Sequence, residues 1–290
     1  MEKVFIVLPV HNRREVTRKF VECLKRQTYT PYHLILIDDG STDGTREAVL
    51  EAYPSADVIR GDGTWWWAGC LQRGFDRLRE KAPKDTDIVL LANDDTTFSS
   101  DYIERAVRFL DGKQGCLLLS RIRNPETGEV QESGVFADLR RMTFRVAKDP
   151  ASINCLSTRG LFLRWGDMKT VGGFFPWMLP HYWSDYEYTI RALRRGLRGL
   201  TTDSVWLDAN LALTGNRDLG ALVGWEFVKT LFSIKFLANP VYNTAFVILA
   251  VPPRWVVQNV LRIWRLALIQ LIRQGVLRRP RPVIDLKRMI

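Results

Sequence analysis

The sequence predicts an α/β protein built on a mainly parallel sheet. Short apolar runs rich in Val, Ile and Leu alternate with helix-periodic segments over roughly the first hundred residues. The runs are almost uninterrupted by polar residues, which is typical of strands that are covered on both faces. A length of 290 residues with 46% hydrophobic composition is sufficient for a full core.

The predicted elements alternate strictly along the chain. Strands are predicted at 4–10, 33–40, 56–61 and 87–92, and helices at 14–26, 43–52, 68–81 and 101–110. Ser99 or Ser100 is the expected cap of the last of these helices. Residues 115–165 are less regular, with short strands at "CLLLSRI" and "GLFLRW". A further helix, 185–195, should end at Gly196 in a left-handed cap.

Charge divides the chain into a neutral body and a basic tail. Residues 227–290 hold eleven of the 42 Lys and Arg residues and one of the 32 acids, so the preceding residues are electrically neutral. The bases are interleaved with Trp, Leu, Ile and Phe, which favours an anionic membrane surface over nucleic acid as partner. The expected division is a folded domain at 1–225 and a helical tail at 226–290. Four scattered cysteines and a first strand at Val4, with no apolar leader before it, indicate the cytoplasm.

The tail predicts a helix that lies in the membrane interface. Phe236–Pro253 has no charge but is interrupted by proline and asparagine, so a simple spanning helix is not expected there. From Arg254, apolar residues form one helical stripe: Val257, Val260, Leu261, Trp264, Leu268, Leu271 and Ile272. The opposite side carries Arg254, Gln258, Arg262, Arg265 and Arg273. The alternative is that the stripe packs on the protein itself or on a second copy of the chain.

Polar and turn-forming residues follow each of the first four predicted strands. Parallel strands place their carboxyl ends at one edge of a sheet, where ligands bind in such folds. The clusters that should meet there are Pro9-Val10-His11-Asn12, Asp38-Asp39-Gly40-Ser41, Gly61-Asp62-Gly63 and Asn93-Asp94-Asp95. Pro9 at the first strand exit and Trp66 in place of a third glycine argue against a dinucleotide-binding loop.

Asp94 and Asp95 are adjacent carboxylates at the predicted mouth of the sheet. They would repel each other unless a cation lay beside them. Mg²⁺ or Mn²⁺, held by one or two carboxylates together with substrate phosphates, fits such a place, and an ordinary turn is the alternative. The same choice between a turn and a ligand contact applies to Asp38 and Asp39.

Four motifs in order resemble those of the family 2 glycosyltransferases. They are "VFIVLPVHNR", "ILIDDGSTDGT", "VLLANDDT" and "VGGFFP" with "WSDYEYTIRALRRGLR", and they span roughly residues 3–215. The resemblance implies the GT-A fold and an inverting transfer from a nucleotide-sugar. The segment "GDGTWWWAG" is also similar to the rhamnosyltransferase-like branch, which uses dTDP-rhamnose to build cell-surface polysaccharides.

The resemblance implies roles for the residues at the strand ends. Asp39 would read the imide edge of a pyrimidine, and the remaining donor-site residues would be Pro9, Val10, Asn12, Gly61, Asp62, Trp67, Asn93 and Asp94. "NDD" stands where many relatives have DxD, which makes Asp94 and Asp95 metal ligands. Asp208 would be a third ligand, near a late histidine of relatives. The Mg²⁺ or Mn²⁺ would neutralise the diphosphate leaving group.

The base is expected at the start of the late helix. Ser184-Asp185-Tyr186-Glu187 is a capping box, with Ser184 as the N-cap and Glu187 reaching back. This interpretation leaves Asp185 free, and Asp185 matches the family's base, which takes the acceptor's proton. Relatives often carry Glu at the position of Ser184.

The implied function is a metal-dependent enzyme at the cytoplasmic face of the membrane, held there as a peripheral or monotopic protein. It would move a hexose, rhamnose in the narrower resemblance, from a dTDP or UDP donor to a lipid-linked glycan. Two alternatives remain: transfer to polyprenyl phosphate, and a catalytically silent membrane-bound binding module.

Overall fold

The computed structural model describes residues 1–211 and 222–279. The end of the basic tail, residues 280–290, and the last residues of the family resemblance, 212–215, lie outside the described residues. The first half of the chain alternates as predicted. Its strands are β1 Val4–Val10, β2 Tyr32–Asp38, β3 Asp57–Arg60 and β4 Ile88–Leu91, and its helices are α1 Arg14–Lys25, α2 Thr45–Ala52, α3 Trp66–Lys81 and α4 Tyr102–Leu110.

The second half adds short strands and two helices to this frame. The strands are β5 Cys116–Leu119, β6 Arg121–Arg123, β7 Val130–Glu132, β8 Val135–Asp138, β9 Thr143–Val146, β10 Leu161–Arg164, β11 Arg198–Leu200 and β12 Trp206–Asp208. The helices are α5 Trp165–Val171 and α6 Ser184–Arg194. Gly196 has φ 92°, and the amide of Leu197 bonds back to the Ala192 carbonyl, so α6 ends in the predicted left-handed cap.

A seven-stranded sheet forms the centre, in the order β11-β5-β10-β4-β1-β2-β3. β1 is parallel to β2 and β4, β2 is parallel to β3, and only β10 runs antiparallel to its neighbours. The carboxyl ends of β1 to β4 therefore meet at one edge, as predicted. Two small sheets, β12-β6-β7 and β8-β9, complete the described strands.

Alternate residues of each central strand enter different cores, which explains the uninterrupted apolar runs. Val4, Ile6 and Leu8 of β1 face the core under α1, α2 and α4, whereas Phe5 and Val7 face the core under α3, α5 and α6. Each fully buried aliphatic or aromatic side chain contributes roughly 1.5–3 kcal/mol. The two-sided burial holds the sheet edge in place.

Two local predictions were wrong. "CLLLSRI" is not one strand, because buried Ser120 binds the Gly160 carbonyl and Tyr102 and thereby separates β5 from β6. Helix α4 is not capped by Ser99 or Ser100. The side chain of Gln27 accepts the Ile103 amide instead, at 3.0 Å from across the fold.

The tail consists of α7 Gly224–Leu231, α8 Pro240–Ala250 and α9 Pro253–Gln270, which continues as a π-helical turn over Leu271–Val276. Phe246 and Ala250 of α8 pack against α6 and the β8-β9 hairpin in a third core. Helix α8 is therefore fixed to the body. The division at residue 225 stays a prediction.

Candidate active site at the carboxyl edge of the sheet

The loops after β1 and β2 are tied to each other. Asn12 has φ 50°, and its side-chain oxygen accepts the Thr42 amide at 2.8 Å. The Asn12 amide in turn donates to Ser41 Oγ at 2.9 Å. Pro9 and Val10 are the buried last residues of β1. The sequence-predicted donor residues of these two loops thus lie side by side.

Asp39 organises the loop after β3. One carboxylate oxygen accepts the Gly63 amide at 2.9 Å, and the other accepts the amides of Trp65 and Trp66, both at 3.0 Å. The side chain is buried, so these charge-assisted bonds stabilise the loop strongly. Asp39 is therefore a positioning residue in this structure. Its contact with a pyrimidine stays a prediction.

Two glycines are required where these loops meet. Gly40 has φ +72°, and a Cβ there would lie 2.7 Å from the Gly63 nitrogen. A Cβ on Gly61 would lie 2.6 Å from an Asp39 carboxylate oxygen and 2.8 Å from the Trp65 ring. Both distances are too short for any residue with a side chain, so the edge of the predicted donor site depends on these glycines.

The other predicted residues of the β3 loop have different exposures. Asp62 is exposed and accepts hydrogen bonds from the Thr64 amide and hydroxyl, which lower the pKa of the Asp62 carboxyl. Trp65 and Trp67 are half-buried and pack on the core beneath α3. Trp66, with φ 56°, is also half-buried, and its ring packs against His181.

Asp94 and Asp95 share a cation that the sequence interpretation missed. Arg13 places one guanidinium nitrogen 3.2 Å from Asp94 Oδ1 and the other 3.4 Å from Asp95 Oδ2. Asp94 Oδ2 accepts a hydrogen bond from Thr17 at 2.8 Å. Burial raises the pKa of Asp94 to about 6 in spite of these partners. The available signal was the position of Arg13, directly after the first strand exit.

Asp95 has the oxygen that suits a metal. Asp95 Oδ1 and Asn93 Oδ1 are buried and have no hydrogen-bond partner, whereas both oxygens of Asp94 are engaged. An unpartnered carboxylate oxygen beside a second carboxylate fits Mg²⁺ or Mn²⁺, which use few protein ligands when phosphates supply the others. Asp95 and Asn93 would hold the ion, and Asp94 would support them.

Asp208 does not complete a metal cluster. Across residues 1–211 and 222–279, no group of three or more His, Cys, Asp or Glu side chains is placed to hold a metal. The backbone of Asp208 pairs with Thr97, close to the motif, but its carboxylate binds the Arg123 guanidinium at 2.6 Å. The neighbouring strand supplies a cation to this carboxylate, and the role of Asp208 as a third ligand stays a prediction.

Asp185 lies in the first turn of α6. One carboxylate oxygen accepts the Tyr186 amide at 2.9 Å. Burial raises the pKa of Asp185 to about 6, and the negative charge of Glu132 raises it further. The hydrogen bond from the Tyr186 amide and the positive charge of Arg159 act in the opposite direction and lower the pKa. A carboxylate with such a pKa can accept a proton near neutral pH. Glu132 and Arg159 were missed by the sequence interpretation.

The capping-box prediction was wrong. The residue before the helix is Trp183, with φ 70°, and the hydroxyl of Ser184 donates to the His181 carbonyl. Glu187 forms a two-pronged ion pair with Arg191, at 2.7 and 3.0 Å. Glu187 is thus committed to structure, and Asp185 remains the carboxylate that is available as base.

The segment before α6 contacts the first turn of α3, which follows the loop after β3. The Ala68 amide donates to the Pro180 carbonyl at 2.9 Å, and the rings of Trp66 and His181 are 5.8 Å apart. Nδ1 of His181 is buried without a partner, and burial lowers the pKa of His181 to about 4. These contacts bring the start of α6 to the sheet edge that carries the loops after β1, β2 and β3.

A parallel sheet with a carboxylate-bearing edge and a base-bearing helix beside it is the architecture of nucleotide-sugar transferases of the GT-A type. The sequence profile of glycosyl transferase family 2 matches residues 5–166. The chain therefore belongs to glycosyl transferase family 2, as its motifs predicted. The fold prediction is confirmed, and the rhamnosyltransferase-like resemblance stays a prediction.

Known proteins share this fold at low identity. A protein of Haloferax volcanii, glycosyltransferase AglE, is 24% identical over 202 residues, which cover 67% of this chain and 62% of that protein's length. The crystal structure of S. aureus TarS superposes on this chain with a TM-score of 0.59 at 16% identity, and the superposition covers 92% of this chain and 55% of TarS. Mannosyltransferase PcManGT from Pyrobaculum calidifontis, in complex with GDP-Man and Mn²⁺, superposes with a TM-score of 0.58 at 16% identity. The superposition covers 94% of this chain and 76% of PcManGT.

Proposed function

We propose that the chain is an inverting, metal-dependent glycosyltransferase that uses a nucleoside diphosphate sugar. The acceptor hydroxyl attacks the anomeric carbon, a new C–O bond forms, and the bond from that carbon to the diphosphate breaks. Asp185 takes the hydroxyl proton, and the nucleoside diphosphate leaves with the bond's electron pair. Mg²⁺ or Mn²⁺ at Asp95 would stabilise the negative charge of the leaving group.

The contact between the segment before α6 and the first turn of α3 carries this proposal. Pro180 and His181 contact the first turn of α3 through the Ala68 amide and the Trp66 ring. They stand just before Asp185 in the chain, and Trp66 begins the helix whose start Asp39 holds at the sheet edge. We therefore assign Asp185 as the proton acceptor and Asp95 as the residue that holds the charge-stabilising ion, the two roles that an in-line displacement requires.

The donor is proposed from resemblance and from bound ligands of similar folds. "GDGTWWWAG" favours dTDP-rhamnose as the first donor to test. UDP-GlcNAc was observed with a TarS fragment and GDP-Man with PcManGT, so both belong in the same panel.

An exposed apolar stripe on α9 supports membrane association. Val257, Leu261 and Leu268 are 69%, 66% and 57% exposed. The opposite face of the helix buries Asn259 and Ala267 against the protein. These residues of the predicted stripe are open to solvent, whereas Trp264 donates a hydrogen bond to the Thr244 hydroxyl of α8 at 3.0 Å. The exposure supports a membrane surface over packing of the stripe on the protein itself. Exposed Arg254, Arg265 and Arg273 give the helix a charge that suits an anionic surface.

We propose that α9 lies in the interface plane. Pro253–Val276 is long and apolar enough to cross a membrane, and it is the one such helix in the described chain. Arg262 and Arg265 lie at its middle, where each charge would cost roughly 2.5–3.5 kcal/mol at the centre of a bilayer. Lying flat avoids that cost, because exposed Arg265 then reaches the headgroups and Arg262 keeps its hydrogen bond to the Asn259 side chain on the protein side.

The proposed acceptor is a hydroxyl on a lipid-linked glycan at the cytoplasmic face of the membrane. An enzyme held in the interface meets such a substrate in two dimensions, and the chemistry matches cell-surface polysaccharide synthesis. A second copy of the chain is the alternative occupant of the stripe. In that case sedimentation would show dimers, and anionic vesicles would not bind.

The test begins with a thermal-shift screen of nucleotide-sugars in the presence of Mn²⁺, since a ligand that binds the folded state raises the melting temperature. Donor turnover is then measured for the wild type and for Asp185→Asn. The proposal expects at least a hundredfold loss in the variant with unchanged donor binding. Equal turnover would remove Asp185 from the reaction, and a wild type inert with every donor would favour a silent binding module. A sugar–phosphate ester as product would instead identify polyprenyl phosphate as acceptor.

A further inference from the structure

Trp183 immediately precedes the base helix in a conformation that is unusual for a bulky residue. Its φ of 70° lies in the left-handed region. Such a conformation persists only when the surroundings enforce it, and it is common at functional sites. The Trp183 carbonyl accepts the Glu187 amide, the first backbone bond of α6. The direction of the turn that carries Asp185 therefore depends on Trp183.

The surroundings that hold Trp183 come largely from the tail. Its indole N–H donates to the Leu237 carbonyl at 3.2 Å, and its ring centre lies 4.9 Å from that of Phe246 on α8. The Leu237 carbonyl is itself held by the side-chain amide of Asn243 at 2.9 Å. On the other side the indole meets Phe144, with ring centres 5.1 Å apart.

The far end of the same helix is also attached to the tail. Arg194, in the last turn of α6, donates a hydrogen bond to the Ala250 carbonyl at the end of α8 at 2.5 Å. Between these two contacts, Ile190 packs in the core that Phe246 and Ala250 share. Helix α6, which carries Asp185, thus contacts α8 near both of its ends and in its middle, and α8 leads directly into the exposed helix α9.

We propose that Trp183 is a positioning residue through which the docked tail sets the geometry of Asp185, so that seating α9 on a membrane tightens the base helix. This inference rests on the proposed function for the role of Asp185. Its structural part, the mechanical link from the tail to the first turn of α6, can be tested without turnover.

The test is hydrogen exchange of residues 184–188 in the full chain. Trp183→Phe keeps an aromatic ring but removes the N–H donor, and we expect about threefold to tenfold faster exchange, the effect of one net hydrogen bond. Trp225→Phe is the matched control, because Trp225 lies in α7, is 67% exposed and should leave the exchange unchanged. Asn243→Ala, which frees the Leu237 carbonyl, should act like Trp183→Phe and serves if that variant does not fold.

Vesicles of 30% phosphatidylglycerol in phosphatidylcholine supply the membrane. Bound vesicles should slow exchange of residues 184–188 in the wild type and much less in Trp183→Phe. With an active donor, Trp183→Phe should lower kcat about tenfold and leave the donor KM unchanged, a separation that general loss of stability would not produce.

Three results would overturn the inference. They are exchange at the wild-type rate in both Trp183→Phe and Asn243→Ala, no change in the exchange of residues 184–188 when the wild type binds vesicles, or a kcat of Trp183→Phe equal to that of the wild type. If no donor turns over but exchange changes as expected, the proposed function fails and the link from tail to helix stands.

Discussion

Replacing Asp185 by Asn should stabilise the protein while it abolishes transfer. The carboxyl of Asp185 is held where its charged form is disfavoured, so the folded protein binds its proton more tightly than the unfolded chain does. The contribution of this carboxyl to the stability of the folded protein must then fall as pH rises from about 4 to about 6. An amide at the same position carries no charge, and its oxygen still accepts the Tyr186 N–H.

The size of the effect follows from the pKa. Raising a carboxyl pKa from 3.8 to about 6 corresponds to ~3 kcal/mol above pH 6, at about 1.4 kcal/mol for each tenfold change in an equilibrium constant. The side chain is only partly buried, and solvent screening roughly halves this value, to ~1.5 kcal/mol. In a chain of this size that is a rise of about 3–6 °C in Tm.

The assay is thermal unfolding of the wild type and Asp185→Asn at pH 8 and pH 4.5, with exposed Asp111→Asn as the control. At pH 4.5 a clearly smaller difference should remain, because the folded carboxyl is then largely protonated and only the ionisation of the unfolded carboxyl, with its pKa near 3.8, still lowers the stability of the wild type. A variant that is no more stable at pH 8, or equally stabilised at both pH values, would show that burial does not disfavour the carboxylate. The interpretation of Asp185 as a tuned base would then be wrong.

Four further results are expected. Asp95→Asn should remove the Mn²⁺-dependent rise in Tm, and a full rise would mean that another residue binds the ion. The kcat/KM of the wild type in saturating Mn²⁺ should fall tenfold per pH unit below about pH 6 as Asp185 is protonated; a flat profile to pH 5 would refute this. Leu261→Glu should weaken binding to anionic vesicles about tenfold, whereas Val16→Glu, on a helix of the body, should not, and equal losses would exclude the stripe as the contact. Gly61→Ala should weaken nucleotide binding at least tenfold because its Cβ would overlap Asp39, and wild-type affinity would contradict that packing.

The first half of the fold was predictable because its signals are local. The apolar runs of β1 to β4 are short and buried on both faces, which distinguishes them from the helical segments between them. Their positions and their common carboxyl edge could therefore be predicted from the sequence. The features that were missed depend on partners far apart in the chain. Gln27 caps a helix that begins 75 residues later, and Ser120 breaks a strand because Gly160 and Tyr102 meet it in three dimensions.

The candidate site shows the same division. Asp95 and Asp185 were predicted from motif and position, and the structure leaves both carboxylates available. The structural roles of their neighbours were not predictable. Arg13 occupies the space between the two acids, Asp39 is held by three amides of another loop, and Glu187 is paired with Arg191 rather than with the start of its own helix.

The most direct test of the account is a crystal structure with Mn²⁺ and a nucleoside diphosphate bound. We predict an anomalous peak about 2.1 Å from Oδ1 of Asp95, with the diphosphate on the same ion and the guanidinium of Arg13 displaced from the two carboxylates. Ion and nucleotide bound elsewhere, or Arg13 still bridging Asp94 and Asp95 in the complex, would contradict it.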